Sequence, residues 1–273
     1  MSRIRRWMLN AGIMGGLLLC GVDKGKAFGA VTFSASSGAR AASATFDVVG
    51  GNLVVTLANT STFDVLSPAG TPATNAGILT AVFFDVTGQS TALTSLSAVV
   101  GAGSAIVFDT APPPLFFGPG TVVGGEHAYA YNASGLGGAV APFVTQTNGI
   151  SSAGFGIFGS ATFPGANLDP PLALDGLNYG LTSAGDNLAT GNAAVTGGNP
   201  LIQNSVVFTL GAWSSVLSAI NNIRFQYGTA LNEGTIDIPP PPPVSEPSTL
   251  ALAGIGALSC LGFGIFRRRR NAA

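Results

Sequence analysis

The chain has 273 residues and a mass of 27.2 kDa, and only 8% of its residues are charged, against about 25% in an average soluble protein. The net charge of −1 hides a segregation: nine of the eleven Lys and Arg lie near the ends, and between Phe28 and Pro243 only Arg40 and Arg224 face ten acids, leaving −8. That balance argues against nucleic acid as a partner, which needs a basic face, and so sparse a supply of Glu, Lys and Arg argues against a coiled coil.

Met1 to Arg6 carries three arginines, and Ala11 to Val22 is an apolar run broken only by glycines. Gly25 and Ala27 then make a small-x-small end before Phe28. A basic start, a short apolar stretch and a small-residue end predict a secretory signal peptide over residues 1–27. Cys20 follows three leucines rather than a small residue, which argues against lipidation.

Residues 28–238 read as one all-β domain facing the outside of the cell. Thr45–Val49 and Leu53–Leu57 flank Gly50-Gly51-Asn52 and predict a β-hairpin. A run from Ile78 to Val86 predicts a strand, as do Ser104–Phe108, Ala128–Tyr131 and Val206–Leu210. Ile223, Phe225 and Tyr227 alternate with Arg224 and Gln226, the pattern of a strand apolar on one side and polar on the other. Ala212–Asn222 is the one short helix expected in the middle. Pro164–Pro200, rich in Gly, Asn, Pro and Asp, reads as a long loop region with short strands. Many short strands separated by turn residues predict an antiparallel β-sandwich of jelly-roll type. Both cysteines, Cys20 and Cys260, lie in the terminal segments, so no disulfide staples this domain.

Chemistry-bearing residue types are few. His127 is the only histidine and no Gly-x-Ser-x-Gly occurs, which removes the nucleophile elbow; His127 is read as a surface or strand-end residue. Gly154–Gly159 matches Gly-x-Gly-x-x-Gly, but Pro164 and Gly165 follow where a dinucleotide site needs a helix. Its aromatic residues are expected to pack a strand against the core. Asp169, Asp175 and Asp186, with Asn167, Asn178 and Asn187, offer oxygen ligands for calcium, although their spacing fits no EF-hand or nonapeptide repeat and ordinary turns account for them better. Asn59-Thr60-Ser61 and Asn132-Ala133-Ser134 match the N-glycosylation pattern. The expectation is therefore no catalytic residue, no cofactor and no committed metal site.

Residues 239–248 hold five prolines followed by Val244-Ser245-Glu246-Pro247-Ser248, a polyproline II stalk of about 15 Å. Residues 249–270 follow, in which Leu250 to Phe266 is free of charge and Arg267, Arg268, Arg269 and Arg270 close the run. Such a segment, at a rise of about 1.5 Å per residue, is just long enough to span a bilayer as a helix. The arginines fix its end in the cytoplasm.

This tail resembles the PEP-CTERM sorting signal of Gram-negative bacteria in three features: Glu246-Pro247-Ser248, a glycine-rich apolar helix and a terminal arginine cluster. Ser245 stands where that family has its first proline. Ala44–Gly103 and Asn221–Ala230 also resemble the outer domains of some proteins of this class. The resemblance implies an exosortase-like membrane protease as partner, which removes the tail at the motif. It further implies an inner-membrane-anchored precursor that becomes a cell-surface or extracellular-matrix protein with a structural or interaction role. The alternative is a carbohydrate-binding module or adhesin, calcium-assisted, in which Tyr129, Tyr131, Tyr179 and Tyr227 stack on sugar rings of a glycan or exopolysaccharide.

Overall fold

The computed structural model describes residues 29–62, 64, 77–107, 116–138, 142–168, 174, 176–187, 197 and 199–240. The leader, the sorting motif Ser245–Ser248, the anchor Leu250–Phe266, Arg267–Arg270, both cysteines and Asp109, Asp169 and Asp175 lie outside these residues. The protein is mostly β, with 46% strand against 4% helix.

Among the described residues fourteen strands form two sheets. The first, all antiparallel, is made of β1 (Val31–Ser37), β2 (Arg40–Val49), β3 (Asn52–Asn59), β12 (Ser205–Gly211) and β5 (Thr94–Val100), in the order β1-β2-β3-β12-β5. The second runs β14-β13-β4-β10-β11-β6-β7, and comprises β14 (Gly234–Ile238), β13 (Ile220–Tyr227), β4 (Leu79–Val86), β10 (Leu181–Thr182), β11 (Leu201–Gln203), β6 (Ala105–Val107) and β7 (Phe116–Phe117). The pair β9 (Asn148–Ser151) and β8 (Ala128–Tyr131) joins β4 alongside β10. β10 and β11 run parallel, so this sheet is mixed where the sequence pattern predicts antiparallel pairing throughout.

The predicted hairpin forms. Val49 pairs with Asn52, and Gly50 and Gly51 both take positive φ (59° and 82°). Two consecutive left-handed residues give the turn whose twist matches the flanking strands, and glycine adopts them without a Cβ clash. The chain repeatedly crosses between sheets, from β3 to β4, β4 to β5, β11 to β12 and β12 to β13. As a result β12, late in sequence, is inserted between β3 and β5.

Alternation decides what each strand buries. Ala42, Ala44 and Phe46 of β2, Leu53, Val55 and Leu57 of β3, and Val206, Phe208 and Leu210 of β12 point inward from the first sheet. They share one cluster with Val82, Phe84, Ile150, Ile202, Ile223, Phe225 and Tyr227 of the second. Phe46 and Phe84 meet edge to face across the two sheets, with ring centroids 5.2 Å apart. β4 is buried on both sides, because Ala81 and Phe83 point away from this core into a second cluster with Ala128, Val144 and Phe158. Gly149 on β9 allows that packing: a Cβ there would lie 2.7 Å from Phe83 and 2.9 Å from Leu136 and Phe158.

Three expectations are corrected. Ala212–Asn222 holds only a single 3-10 turn, Leu217–Ala219, and β13 begins at Ile220. There Ile220 and Ile223, both buried, serve the strand. Gly154–Gly159 is a turn rather than a strand, with Phe155 and Gly156 at positive φ; Phe158 alone of its aromatics is fully packed, against Phe83 at 6.1 Å. The polar side of β13 is enclosed as well. Gln226 is buried and its Nε2 donates to the carbonyls of Tyr227, Ala230 and Gly234.

Because Phe46 lies at the junction of the sheets, Phe46→Ala should cost about 3–5 kcal/mol. Urea unfolding of the chain followed by Trp213 fluorescence measures it. A loss below about 1 kcal/mol would show that the shared core is not what holds the sheets together.

Candidate functional site

An open groove of ≈ 410 Å³ lies where the end of β4 meets the turns flanking β8 and β9. Asp85, Val86 and Thr87 form one wall, Ala133, Ser134 and Gly135 a second, and Thr145, Thr147 and Asn221 complete it. Its polar side chains are hydroxyls, an amide and one carboxylate, beside the apolar Val86 and Ala133. Among the described residues no ring and no cation line it.

A bulge shapes the groove. Asn221 pairs with Asp85, but the register of β13 against β4 shifts between Asn221 and Arg224, and Asn222 adopts φ 52°. The extra residue re-aims a side chain, as bulges do: Asn222 Nδ2 donates to Asp85 Oδ2 at 2.7 Å. The other carboxylate oxygen accepts the Thr147 N–H at 2.7 Å and the Thr147 hydroxyl at 3.0 Å. Asp85 is thus a structural clamp joining β4, β13 and the approach to β9. Bonds to a carboxylate are the stronger kind.

The network continues away from the groove. Asn148 Nδ2 donates to Thr147 Oγ1 (3.1 Å) and to Gln89 Oε1 (2.7 Å), while its Oδ1 accepts the Tyr129 hydroxyl at 2.6 Å. The Leu93 N–H donates to that same hydroxyl oxygen at 3.2 Å. Burial raises the Tyr129 pKa above its ordinary value, opposed by its hydrogen bonds. On the groove side, Asn221 Nδ2 donates to Thr87 Oγ1 (3.0 Å) and the Ala219 carbonyl (2.8 Å). Ser134 and Thr145 line the groove beside Asn221.

The tyrosines do not form the sugar-stacking face expected from sequence. Tyr179 and Tyr227 are fully buried in the main core, and Tyr129 is 8% exposed. Tyr131 is half-buried, with its hydroxyl on the Gln89 carbonyl at 3.1 Å. Alternation on β8 and β13 sends Tyr129 and Tyr227 inward, and the turn before β10 carries Tyr179 into the core. Asn59 is equally enclosed: its amide holds the carbonyls of Gly77 and Leu181, both at 2.9 Å. Asn132 is exposed, and its Oδ1 accepts the Ser134 N–H at 3.0 Å, forming the turn at the groove wall. Among the described residues no three His, Cys, Asp or Glu side chains converge as metal ligands. Nor is any helix there long and apolar enough to cross a membrane.

His127 sits at the start of β8, as expected, but not at the surface. It is 1% exposed, its ring meets Phe208 edge-on at 5.1 Å, and Nδ1 lies 3.1 Å from the Val123 carbonyl. That carbonyl can only accept, so Nδ1 carries the proton of the neutral ring. Neighbouring Glu126 is turned to the Leu168 N–H, at 2.5 Å. The single signal that could have placed the groove from sequence is Asp85 within an apolar strand.

These features define a mostly-β protein of two sheets with a shared core and a polar groove at one end. Comparison with protein-family models, with curated proteins and with solved structures gives no match.

Burial lowers the His127 pKa from 6.5 to about 4, with the Val123 hydrogen bond opposing the shift. Below pH 6.5 the unfolded chain takes up a proton that the folded chain refuses. Stability is therefore full above about pH 6.5 and falls by roughly 3 kcal/mol as pH drops to about 4. Chemical denaturation from pH 7.5 to 4, compared with His127→Asn, isolates this contribution. The variant should show a shallower loss, and equal slopes would contradict it.

Proposed function

We propose that this chain is an exported, exosortase-processed protein of the bacterial cell surface or exopolysaccharide matrix. Its outer domain is a jelly-roll-like β-sandwich with a structural, non-catalytic role. The observation that carries this reading is the order of parts in the sequence. A basic, apolar leader comes first, then a thiol-free −8 middle, a proline stalk, Ser245-Glu246-Pro247-Ser248, the apolar run Leu250–Phe266 and four arginines. The arginines hold the end of an inserted helix in the cytoplasm, and the stalk presents the motif in an extended form that a membrane protease can grip. The two-sheet body, whose sheets share one apolar core, supports the reading. Expressed with and without an exosortase-like protease, the chain should lose its tail only when the enzyme is present. An intact tail in both hosts would overturn the assignment.

A second activity of the same domain is supported by the groove beside Asp85, which suits a neutral, hydroxyl-rich ligand such as a glycan edge. Its lining offers hydroxyls, an amide carbonyl and a carboxylate, with no cation for an anionic group and no ring for a planar one. Ser134 is exposed on its wall, so Ser134→Trp fills the groove without disturbing the core. On a glycan array, run with and without calcium, the native chain should bind neutral glycans and Ser134→Trp should not. Absence of binding under both conditions, or binding unaffected by the variant, removes this reading.

A further inference from the structure

Two sheets present four outer edges, and a free edge is a template for another strand unless something blunts it. Three are blunted. Along β5, residues 120–123 close the ladder: Val100 N–H donates to the Thr121 carbonyl, Gly120 N–H to Val100 and Val123 N–H to Ala98, all within 2.8–2.9 Å, and Val99 bridges to Val122. β14 carries the exposed carboxylate of Asp237 and runs straight into Pro239 and Pro240. β7 is two residues long. The side branch is covered too, since the Tyr129 N–H of β8 donates to Thr162 Oγ1 and the Thr162 N–H to the His127 carbonyl.

β1 is different. Its seven residues, Val-Thr-Phe-Ser-Ala-Ser-Ser, contain no charge, no proline and no glycine, and pair only with β2. Val31, Phe33 and Ala35 lean on the core while Thr32, Ser34 and Ser36 are exposed. Among the described residues β14 lies beside it, but its outer backbone row has no ladder partner.

We propose that this edge pairs antiparallel with β1 of a second copy of the chain, in the register that sets Ser34 opposite Ser34. A single-residue slip would put core-facing residues opposite exposed ones. With Ser34 on the two-fold axis, Phe33 faces Ala35, Thr32 faces Ser36 and Val31 faces Ser37, so all seven residues pair and each row keeps its side. Hydroxyl pairs such as Thr32–Ser36 are favourable cross-strand partners, and this chain already makes one between Thr32 and Thr45, 2.8 Å apart. No charge on β1 opposes its copy. The two five-stranded sheets become one of ten.

Geometry also fixes the direction of the tethers. β1 ends at Ser37, opposite Arg40, and the Arg40 guanidinium lies against Gly234, where β14 begins, and over the Tyr227 ring at 5.6 Å. β1 and β14, which touch each other, therefore run in opposite directions, and the chain enters at Gly29 and leaves at Pro239 from the same end. Antiparallel pairing of two β1 strands places those exits at opposite ends of the dimer. Such a dimer links copies that face one another and resists lateral crowding of copies on one membrane. This deepens the structural role proposed above, while its test is independent of tail cleavage.

Directly opposed residues have Cα atoms about 4.5–5.5 Å apart, within the span of a disulfide. The full chain carrying Cys20→Ser, Cys260→Ser and Ser34→Cys, held in detergent micelles and oxidised, should give a Ser34-position crosslinked dimer on a non-reducing gel. Ser90→Cys, in the exposed turn after β4, should give about ten-fold less or lower, as should addition of Thr32→Lys and Ser36→Lys, which sets lysine against lysine twice. All these positions are exposed, so the fold is retained, and circular dichroism of each variant verifies it. Equal crosslinking at Ser34 and Ser90, no crosslinking at Ser34, or a dimer indifferent to the lysines would each overturn the pairing.

Discussion

Burial of one apolar core between two sheets is the constraint on which everything else in this protein depends. The body has no thiol and few charges to draw on, so its cohesion comes from inward rows of side chains and the ladders that carry them. Phe46, Phe84, Phe208 and Phe225 are all fully buried there, and aromatic side chains bring the largest area per residue. The late strand β12, inserted between β3 and β5, makes the first sheet complete only when the two halves of the chain meet. That arrangement joins distant segments into one unit and predicts slow folding, because long loops must close before their contacts form.

Polar groups inside this body are handled by local clamps. Asp85 accepts three hydrogen bonds from β13 and the approach to β9. Asn59 ties β3 to Gly77 and Leu181, and Gln226 satisfies three carbonyls near the β13–β14 turn. Each occupies a place where the ladder is interrupted by a bulge, a strand end or a crossing. An unsatisfied carbonyl there would carry a full desolvation penalty, about 1–3 kcal/mol. The groove beside Asp85 is a consequence of the same interruption: the bulge that aims Asn222 at the carboxylate also opens the space between β4 and the turn at Ser134.

A β body with its two exits at one end suits a protein carried on a stalk. The far end and the open β1 edge remain available, while β14, nearest the proline run, is blunted by Asp237 and Pro239. Edge protection is thus unevenly distributed. The strands next to the tether and around the groove are closed, and β1 keeps an uncharged row of backbone groups outward.

Composition and period alone determined that the middle is β, that no disulfide staples it, and where several strands run. The β2–β3 hairpin was legible because Gly-Gly between alternating residues has a local physical meaning. The double burial of β4 has a counterpart in the run from Ile78 to Phe84, apolar except for Thr80. The order of a basic, apolar start, an acidic middle, a proline run and an arginine-ended apolar tail is likewise a property of the linear chain. Tertiary structure decided the rest. Alternation says that Tyr227 shares a side with apolar neighbours, but not whether that side faces solvent or another sheet, and it is silent on Tyr179 in its turn. Only the packing of two sheets turned them inward and enclosed His127 against Phe208. The groove could not be read at all, since Asp85, Ser134, Thr145 and Asn221 are brought together by pairings and a bulge between segments far apart in sequence. Local patterns encode local backbone choices; which surfaces meet is set by the burial of the whole chain.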